Sequence, residues 1–189
     1  MLSFGNLNAN GGHDLLIRPL AAVVKEFPSV SLEIIGDGPE RSRLEALVAN
    51  LGLAKVVAFF GRQPRRQIVD ATKRCTIFVL PSWQQGLEYA FLWAMSCGKA
   101  VIGCRAQGMA EVIQQGTNGL LVGFGNEKEL ILTIGMLLRE PQRRRNLGAA
   151  ARHSVLDRLT VEQQAESLMR IYKDSVQEGR GIPPKTPCA

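Results

Sequence analysis

Residues 81–98, Pro-Ser-Trp-Gln-Gln-Gly-Leu-Glu-Tyr-Ala-Phe-Leu-Trp-Ala-Met-Ser-Cys-Gly, hold the densest group of side chains suited to gripping a ligand. Trp83, Tyr89, Phe91 and Trp93 crowd into eleven residues, with Gln85, Gly86 and Glu88 among them. The segment reads as a strand exit, a glycine turn and a helix ending at Gly98. A loop that leaves a strand and feeds a helix N-terminus is where an open α/β sheet builds a site. Packing of a helix under the sheet accounts for some of these aromatics. Trp83, on the loop, and Trp93, one turn beyond Tyr89, point instead to an aromatic binding surface, with Phe124 as a further candidate anchor. Glu88 beside such a surface could have a raised pKa and act as a base.

Two more turns could approach a ligand. Gly36-Asp37-Gly38-Pro39 follows a strand and opens a helix, and its glycines, Gly38 among them, allow backbone N–H groups to come close; a plain tight turn is the competing reading. The loop 6–12, from Asn6 to Gly11 and Gly12, follows the first strand and could cradle phosphate through its amides. It lacks a Gly-Lys-Ser/Thr ending and has no cation before His13, so a flexible loop without phosphate is the expectation. His13 opens a helix and is a conceivable general base, although a lone histidine more often caps or sits in solvent. Cys97 and Cys104 lie near element ends facing the cleft. No Cys–His spacing marks a nucleophile, so both read as small core residues. His153 lies on a late helix and reads as structural.

The elements that must position these groups alternate along the chain. Strands are expected at Leu2–Phe4, 31–35, 56–60, 76–80, 100–103 and 119–122. Helices are expected at 13–27, where Pro19 should kink or interrupt the run, and at 40–51, 63–74, 89–96, 110–114, 127–138, 142–156 and 161–176. Asn126 and Thr160 are suitable N-caps. Such alternation with short connections predicts an α/β fold: a Rossmann-like, doubly wound parallel sheet of about six strands with helices on both faces and C-terminal helices. Residues 1–178 read as a single domain. Residues 179–189 hold three prolines and two glycines and read as a disordered tail.

At 189 residues the chain can bury one substantial core. Hydrophobic residues make up 46% and charged residues 21%, as in a soluble globular protein. No apolar run is long enough to cross a bilayer and no leader is visible, so a cytoplasmic setting is expected. Cys75, Cys97, Cys104 and Cys188 form no Cys-x-x-Cys pair, and no metal site is expected. The net charge is +6. Much of it comes from Arg139, Arg143, Arg144, Arg145, Arg152 and Arg158 on two late helices. A solvated face is the expectation there, and a nucleic-acid surface is not, because aromatics do not interleave.

Taken in order, several motifs form a set: Gly36-Asp37-Gly38-Pro39 with Glu40-Arg41, Leu51-Gly52-Leu53, Phe59-Phe60-Gly61, Val79-Leu80-Pro81-Ser82, the run from Ala94 to Ile102, Glu111-Val112-Ile113, and Gly116-Thr117-Asn118-Gly119-Leu120-Leu121-Val122. This set resembles the C-terminal, nucleotide-sugar-binding domain of GT-B-fold retaining glycosyltransferases, the glycosyl transferases group 1 family, over about residues 1–175. The resemblance implies a donor-binding domain that would work with a separate acceptor domain, for which this chain shows no counterpart. It also implies an Arg and a Lys holding the diphosphate at positions matching Asn6 and Gly11. Two glutamates that contact the sugar and the ribose match Gln85 and Trp93, and a turn whose amides face the phosphates matches Glu88 to Ala90.

Every charged donor-holding position is therefore neutral, and Glu88 sits where phosphate should approach. A charge-assisted hydrogen bond to phosphate is worth roughly 1.5–3 kcal/mol, so these replacements would remove most donor affinity. Their clustering on the cleft suggests an engineered scaffold or a degenerate, non-catalytic homologue. The expectation is a domain without transferase activity and without a cofactor, binding a UDP- or GDP-sugar only if the ancestral grip survives. The alternatives are an aromatic cleft rebuilt for a small molecule, a partner protein or a homodimer, and a designed catalyst using His13, Glu88, Cys97 or Cys104.

Overall fold

Side-chain alternation along the central strands divides the core in two. In β4 (Ile77–Leu80), buried at every position, Ile77 and Val79 face one way and Phe78 and Leu80 the other, as the two-residue period of a strand requires. The same division holds in β5 (Ala100–Cys104), where Ile102 and Val101 belong to opposite clusters. A sheet buried on both faces must be covered by helices on both. The computed structural model describes residues 1–82, 89–105 and 108–179.

The remaining strands are β1 (Leu2–Phe4), β2 (Leu32–Ile35), β3 (Val57–Phe59) and β6 (Leu120–Val122). All ladders are parallel, in the order β3-β2-β1-β4-β5-β6. This is the doubly wound arrangement expected from the sequence. The chain reverses its direction of travel between β1 and β4, the topological switch point where such sheets place ligands.

One face is covered by α1 (His13–Glu26), α2 (Arg41–Asn50) and α6 (Glu127–Arg139), through Leu16, Leu20, Leu44, Ile134 and Leu137 among others. The other is covered by α3 (Arg65–Arg74), α4 (Tyr89–Ser96), the short α5 (Met109–Val112) and α7 (Pro141–Arg158), through Ala71, Phe91, Met95, Met109 and Val155. The last helix, α8, spans Val161–Gly179.

Every expected strand and helix is present, with ends shifted by three residues at most. The shifts have local causes. Gln63 precedes Pro64, which disfavours helical backbone there, so α3 starts at Arg65. Pro141 occupies the first turn of α7, where its missing N–H costs nothing. Pro19 does not interrupt its helix: α1 runs unbroken from His13 to Glu26. Leu16, Ile17, Leu20 and Val23 are buried on both sides of Pro19, and this packing outweighs the lost backbone bond.

Both expected caps are made. The Asn126 side chain accepts from the Glu129 N–H at 3.1 Å. Thr160 and Gln163 form a reciprocal capping box at 3.1 and 3.3 Å. The tail expected from residue 179 begins inside α8 at Gly179; residues 180–189 lie outside the described residues.

Candidate ligand cleft

The carboxyl ends of β1, β2 and β3 and the first turns of α4 enclose a cavity of about 540 Å³. Phe4, Gly5 and Asn6 contribute from the exit of β1, and Ile35, Gly36 and Asp37 from the exit of β2. Arg62, Gln63 and Ile68 form the wall beyond β3, and Tyr89, Ala90 and Trp93 the wall on α4. The cavity sits beside the switch point, where the fold predicts a site.

Three of the expected ligand residues meet here: Asn6, Tyr89 and Trp93. Tyr89 is 71% exposed. Trp93 is half-buried, packed at 6.0 Å on the Phe4 ring, with the Arg65 guanidinium 5.4 Å from its ring centroid. Phe91, one of the clustered aromatics, turns away and packs edge-on against Phe78 at 5.2 Å in the core. Phe124 is exposed and does not line the cavity. Trp83, Gln85, Gly86 and Glu88 lie outside the described residues.

Gly11, Gly12 and Gly38 do not line the cavity. They serve close backbone packing between loops. A Cβ at Gly12 would lie 2.4 Å from the Pro81 carbonyl oxygen, and one at Gly38 would lie 2.4 Å from that of Leu7. A Cβ at Gly11 would lie 2.7 Å from the Asn6 carbonyl oxygen and 2.9 Å from His13 Nδ1. The expectation of a flexible loop 6–12 is also corrected. Ala9–Gly11 forms a 3-10 turn whose Asn10 N–H donates to the Asn8 side chain. The Leu7, Asn8 and Gly11 N–H groups donate to Asp37, Asn6 and Asn8 carbonyls, and Ser82 Oγ donates to the Asn10 carbonyl at 3.0 Å. These four amides are engaged within the loop and with the β2 exit. The Gly38 N–H likewise donates to its neighbour Asp37 at 2.9 Å.

His13 is neither a surface residue nor a cap. The residue is 2% exposed, and among the described residues neither ring nitrogen has a hydrogen-bond partner. Burial pulls its pKa from 6.5 down to about 4, with Asp14 opposing, so the ring is neutral at pH 7. Cys104 is buried and burial pushes its thiol up, away from the thiolate form a nucleophile needs. Cys97 is half-buried. His153 is exposed on α7.

Gly36 and Asp37 of the expected 36–39 turn line the cavity, and sequence reasoning missed Phe4, Ile35, Arg62, Gln63 and Ile68 as its walls. The signal was available in the strand order, since each follows or ends a strand at its carboxyl end or lies on the helix after it. Among the described lining residues Arg62 is the sole cation and Asp37 the sole anion, so their formal charges cancel. No cluster that could hold a metal ion exists among the described residues.

The basic surface of the late helices is occupied locally. Arg139 pairs with Glu26, and Arg143 with Glu140 at 3.3 Å. Arg144 donates to the Leu137 carbonyl, Arg145 to Gln142 and Arg152 to the Ser96 carbonyl. Three of these bonds, from Arg139, Arg144 and Arg152, tie α6 to α1, α7 to α6 and α7 to the end of α4.

The sequence signature of Glycosyl transferases group 1 spans residues 1–154. The chain belongs to that family. Its relatives include the GDP-mannose-dependent alpha-(1-6)-phosphatidylinositol monomannoside mannosyltransferase of Mycolicibacterium smegmatis, 29% identical over 77% of this chain and 40% of that protein. The N-acetyl-alpha-D-glucosaminyl L-malate synthase of Bacillus anthracis is 30% identical over 87% of this chain and 42% of its own length. Anabaena HepE, solved in complex with UDP, superposes with a TM-score of 0.81 at 26% identity, over 89% of this chain and 48% of HepE.

This group 1 chain thus spans less than half the length of these relatives. The C-terminal domain of LpcC from Francisella tularensis shares its fold over 85% of this chain and 86% of that one, with a TM-score of 0.77 at 22% identity. Among the described residues of this group 1 domain no helix is long and apolar enough to cross a membrane.

Proposed function

We propose that this group 1 domain keeps the donor-side fold but has lost the grip on a sugar nucleotide, and that its cleft takes an uncharged, partly apolar ligand instead. The observation that carries the reading is the placement of Asn6 and Trp93. Both line the cavity, at the two positions where the family resemblance expects a cation for the diphosphate and a carboxylate for the ribose. Trp93 adds bulk to the wall at its position, and Asn6 offers only neutral hydrogen-bonding groups.

Charge balance supports the same conclusion. Among the described lining residues a diphosphate entering this cavity meets one guanidinium, Arg62, and one carboxylate, Asp37, with the Arg65 guanidinium engaged on the Trp93 ring. Phe4, Ile35, Ile68, Tyr89 and Trp93 supply an apolar and aromatic wall, and Asn6 and Gln63 supply neutral polar groups. Such a surface suits a flat ring with a few polar substituents. The proposal concerns the cleft's chemistry and holds whether drift or engineering produced the substitutions. With His13 neutral and unpaired and Cys104 buried, it assigns no catalytic group, and the chain transfers no glycosyl unit.

The second reading is a domain that still binds a UDP- or GDP-sugar, and Arg62 in the cavity wall is the observation in its favour. Titration calorimetry with UDP, GDP, UDP-glucose and GDP-mannose separates the two. Absence of heat at millimolar nucleotide supports the loss of donor binding; micromolar binding of any of the four overturns it.

A further inference from the structure

Cys75 and Cys97 are separated by 22 positions in the chain, yet both stand at the amino ends of two neighbouring strands. β4 and β5 pair in parallel from Ile77 against Ala100. Two residues before that pair come Cys75, which ends α3, and Gly98, which directly follows Cys97. Neighbouring strands lie about 4.8 Å apart, inside the range of about 4.4–6.8 Å between Cα atoms that a disulfide spans.

The surrounding bonds hold the two positions in place. The Cys75 N–H donates to the Ala71 carbonyl at 2.9 Å and the Cys97 N–H to the Trp93 carbonyl at 3.1 Å, so each cysteine is fixed at a helix end. Lys99 Nζ donates to the Lys73 carbonyl at 2.5 Å, which ties the segment beside Cys97 to the segment beside Cys75. Both are free, half-buried thiols. Burial pushes the Cys75 thiol up to about 11, with Lys99 opposing, and a charge on Cys97 adds to the rise. The two sulfurs are therefore close enough to act on each other. Cys104 lies at the opposite end of β5.

We propose that Cys75 and Cys97 are a redox-modification site, closing to a reversible disulfide when the chain meets hydrogen peroxide. The peroxide O–O bond breaks as one thiol becomes a sulfenic acid and one water leaves. The second sulfur then attacks, the S–S bond forms and a second water leaves. Two thiols and one peroxide give one disulfide and two waters, with two electrons passing from sulfur to the peroxide oxygens. The bridge joins the carboxyl ends of α3 and α4, which both contribute walls to the cavity. It lies wholly within this chain and does not depend on which ligand the cleft takes.

Peroxide treatment of the full chain, followed by blocking with N-ethylmaleimide and mass spectrometry, tests the proposal. Cys75 and Cys97 share one tryptic peptide, residues 75–99, because no lysine or arginine lies between Arg74 and Lys99. After peroxide this peptide should carry no maleimide and be about 2 Da lighter than its reduced form. Chymotrypsin should cut it into fragments that stay joined until dithiothreitol is added. The bridged chain should melt several degrees higher than the reduced one. Cys75→Ser and Cys97→Ser should each abolish the bridge, and Cys104→Ser should leave it. In urea the bridge should form several-fold more slowly, since the fold sets the pairing. Maleimide on both cysteines after peroxide overturns the proposal. So does a sulfinic acid at either one, a bridge to Cys104 or Cys188, or an equal rate of bridging in urea.

Discussion

The Arg65 guanidinium lies 5.4 Å from the centroid of the Trp93 ring, joining the start of α3 to the second turn of α4. Phe4 packs against the same indole at 6.0 Å. Trp93 is thereby fixed as a wall of the cavity, held by a cation on one helix and an aromatic ring at the end of β1. An exposed cation–π contact of this kind contributes about 0.5–1 kcal/mol. Arg65→Ala should lower stability by no more than that. In a Trp83→Phe background, which leaves Trp93 as the only tryptophan, it should red-shift indole emission and increase acrylamide quenching. Unchanged emission and quenching would show that the contact does not order Trp93.

Gly11 and His13 constrain each other. The imidazole and the Asn6 carbonyl share the space a side chain at position 11 would enter, since a Cβ there would lie 2.7 Å from the Asn6 carbonyl oxygen and 2.9 Å from His13 Nδ1. Gly11→Lys alone should therefore cost about 1–3 kcal/mol in denaturant unfolding, as overpacking does. The same clash bears on restoring a donor site. Asn6→Arg with Trp93→Glu and Gly11→Lys should fail to bind UDP with His13 in place and should gain part of the affinity once His13→Ala removes the side-chain clash, the approach to the Asn6 carbonyl remaining. Equal UDP affinity with and without His13 would show that the ring is no obstacle.

His13 also sets an acid sensitivity. Its folded pKa of about 4 lies below the ordinary 6.5, owing first to burial. The unfolded chain therefore takes up the proton first as pH falls. The stability due to the neutral ring is complete above pH 6.5 and declines until about pH 4. The displacement corresponds to roughly 3 kcal/mol over that window. His13→Leu should flatten the slope of unfolding free energy between pH 6.5 and 4, measured by urea titration at several pH values. A slope identical to that of the parent chain would assign the acid sensitivity elsewhere.

The strand–helix order was legible because the signals are local and repeated. The two-sided burial of Ile77–Leu80 shows as an apolar run, and Asn126 and Thr160 announce their helices. What stayed hidden depends on long-range neighbours. His13 has the sequence of a helix start, and only the approach of the β1 exit and the Gly11 turn buries it. Pro19 has the sequence of a break, and only packing on both sides keeps α1 whole. In the cleft, Trp93 and Tyr89 were found through their own chemistry. Arg62, Gln63 and Ile68 were not, because residues scattered over β3 and its sequel become neighbours of α4 only once the sheet is wound.

Packing between α4 and α7 offers the sharpest stability test. Gly98 ends α4 in the left-handed region at φ +69°, and its carbonyl lies directly against Gly148 on α7: a Cβ at Gly148 would fall 2.1 Å from that oxygen. The obstacle is backbone, which cannot rotate aside as a side-chain tip can. Either the helices separate or the Gly98 turn deforms, and both disturb Ala94, Met95 and Ala151, which share the same buried cluster. Gly148→Ala would gain helix propensity of about 1 kcal/mol at an unhindered site. Here the clash should outweigh it and leave a net loss of about 2–3 kcal/mol, read as a drop in Tm. The sign decides the matter: a Tm that rises would mean that α7 shifts freely along α4, and that Gly148 is not what sets their separation.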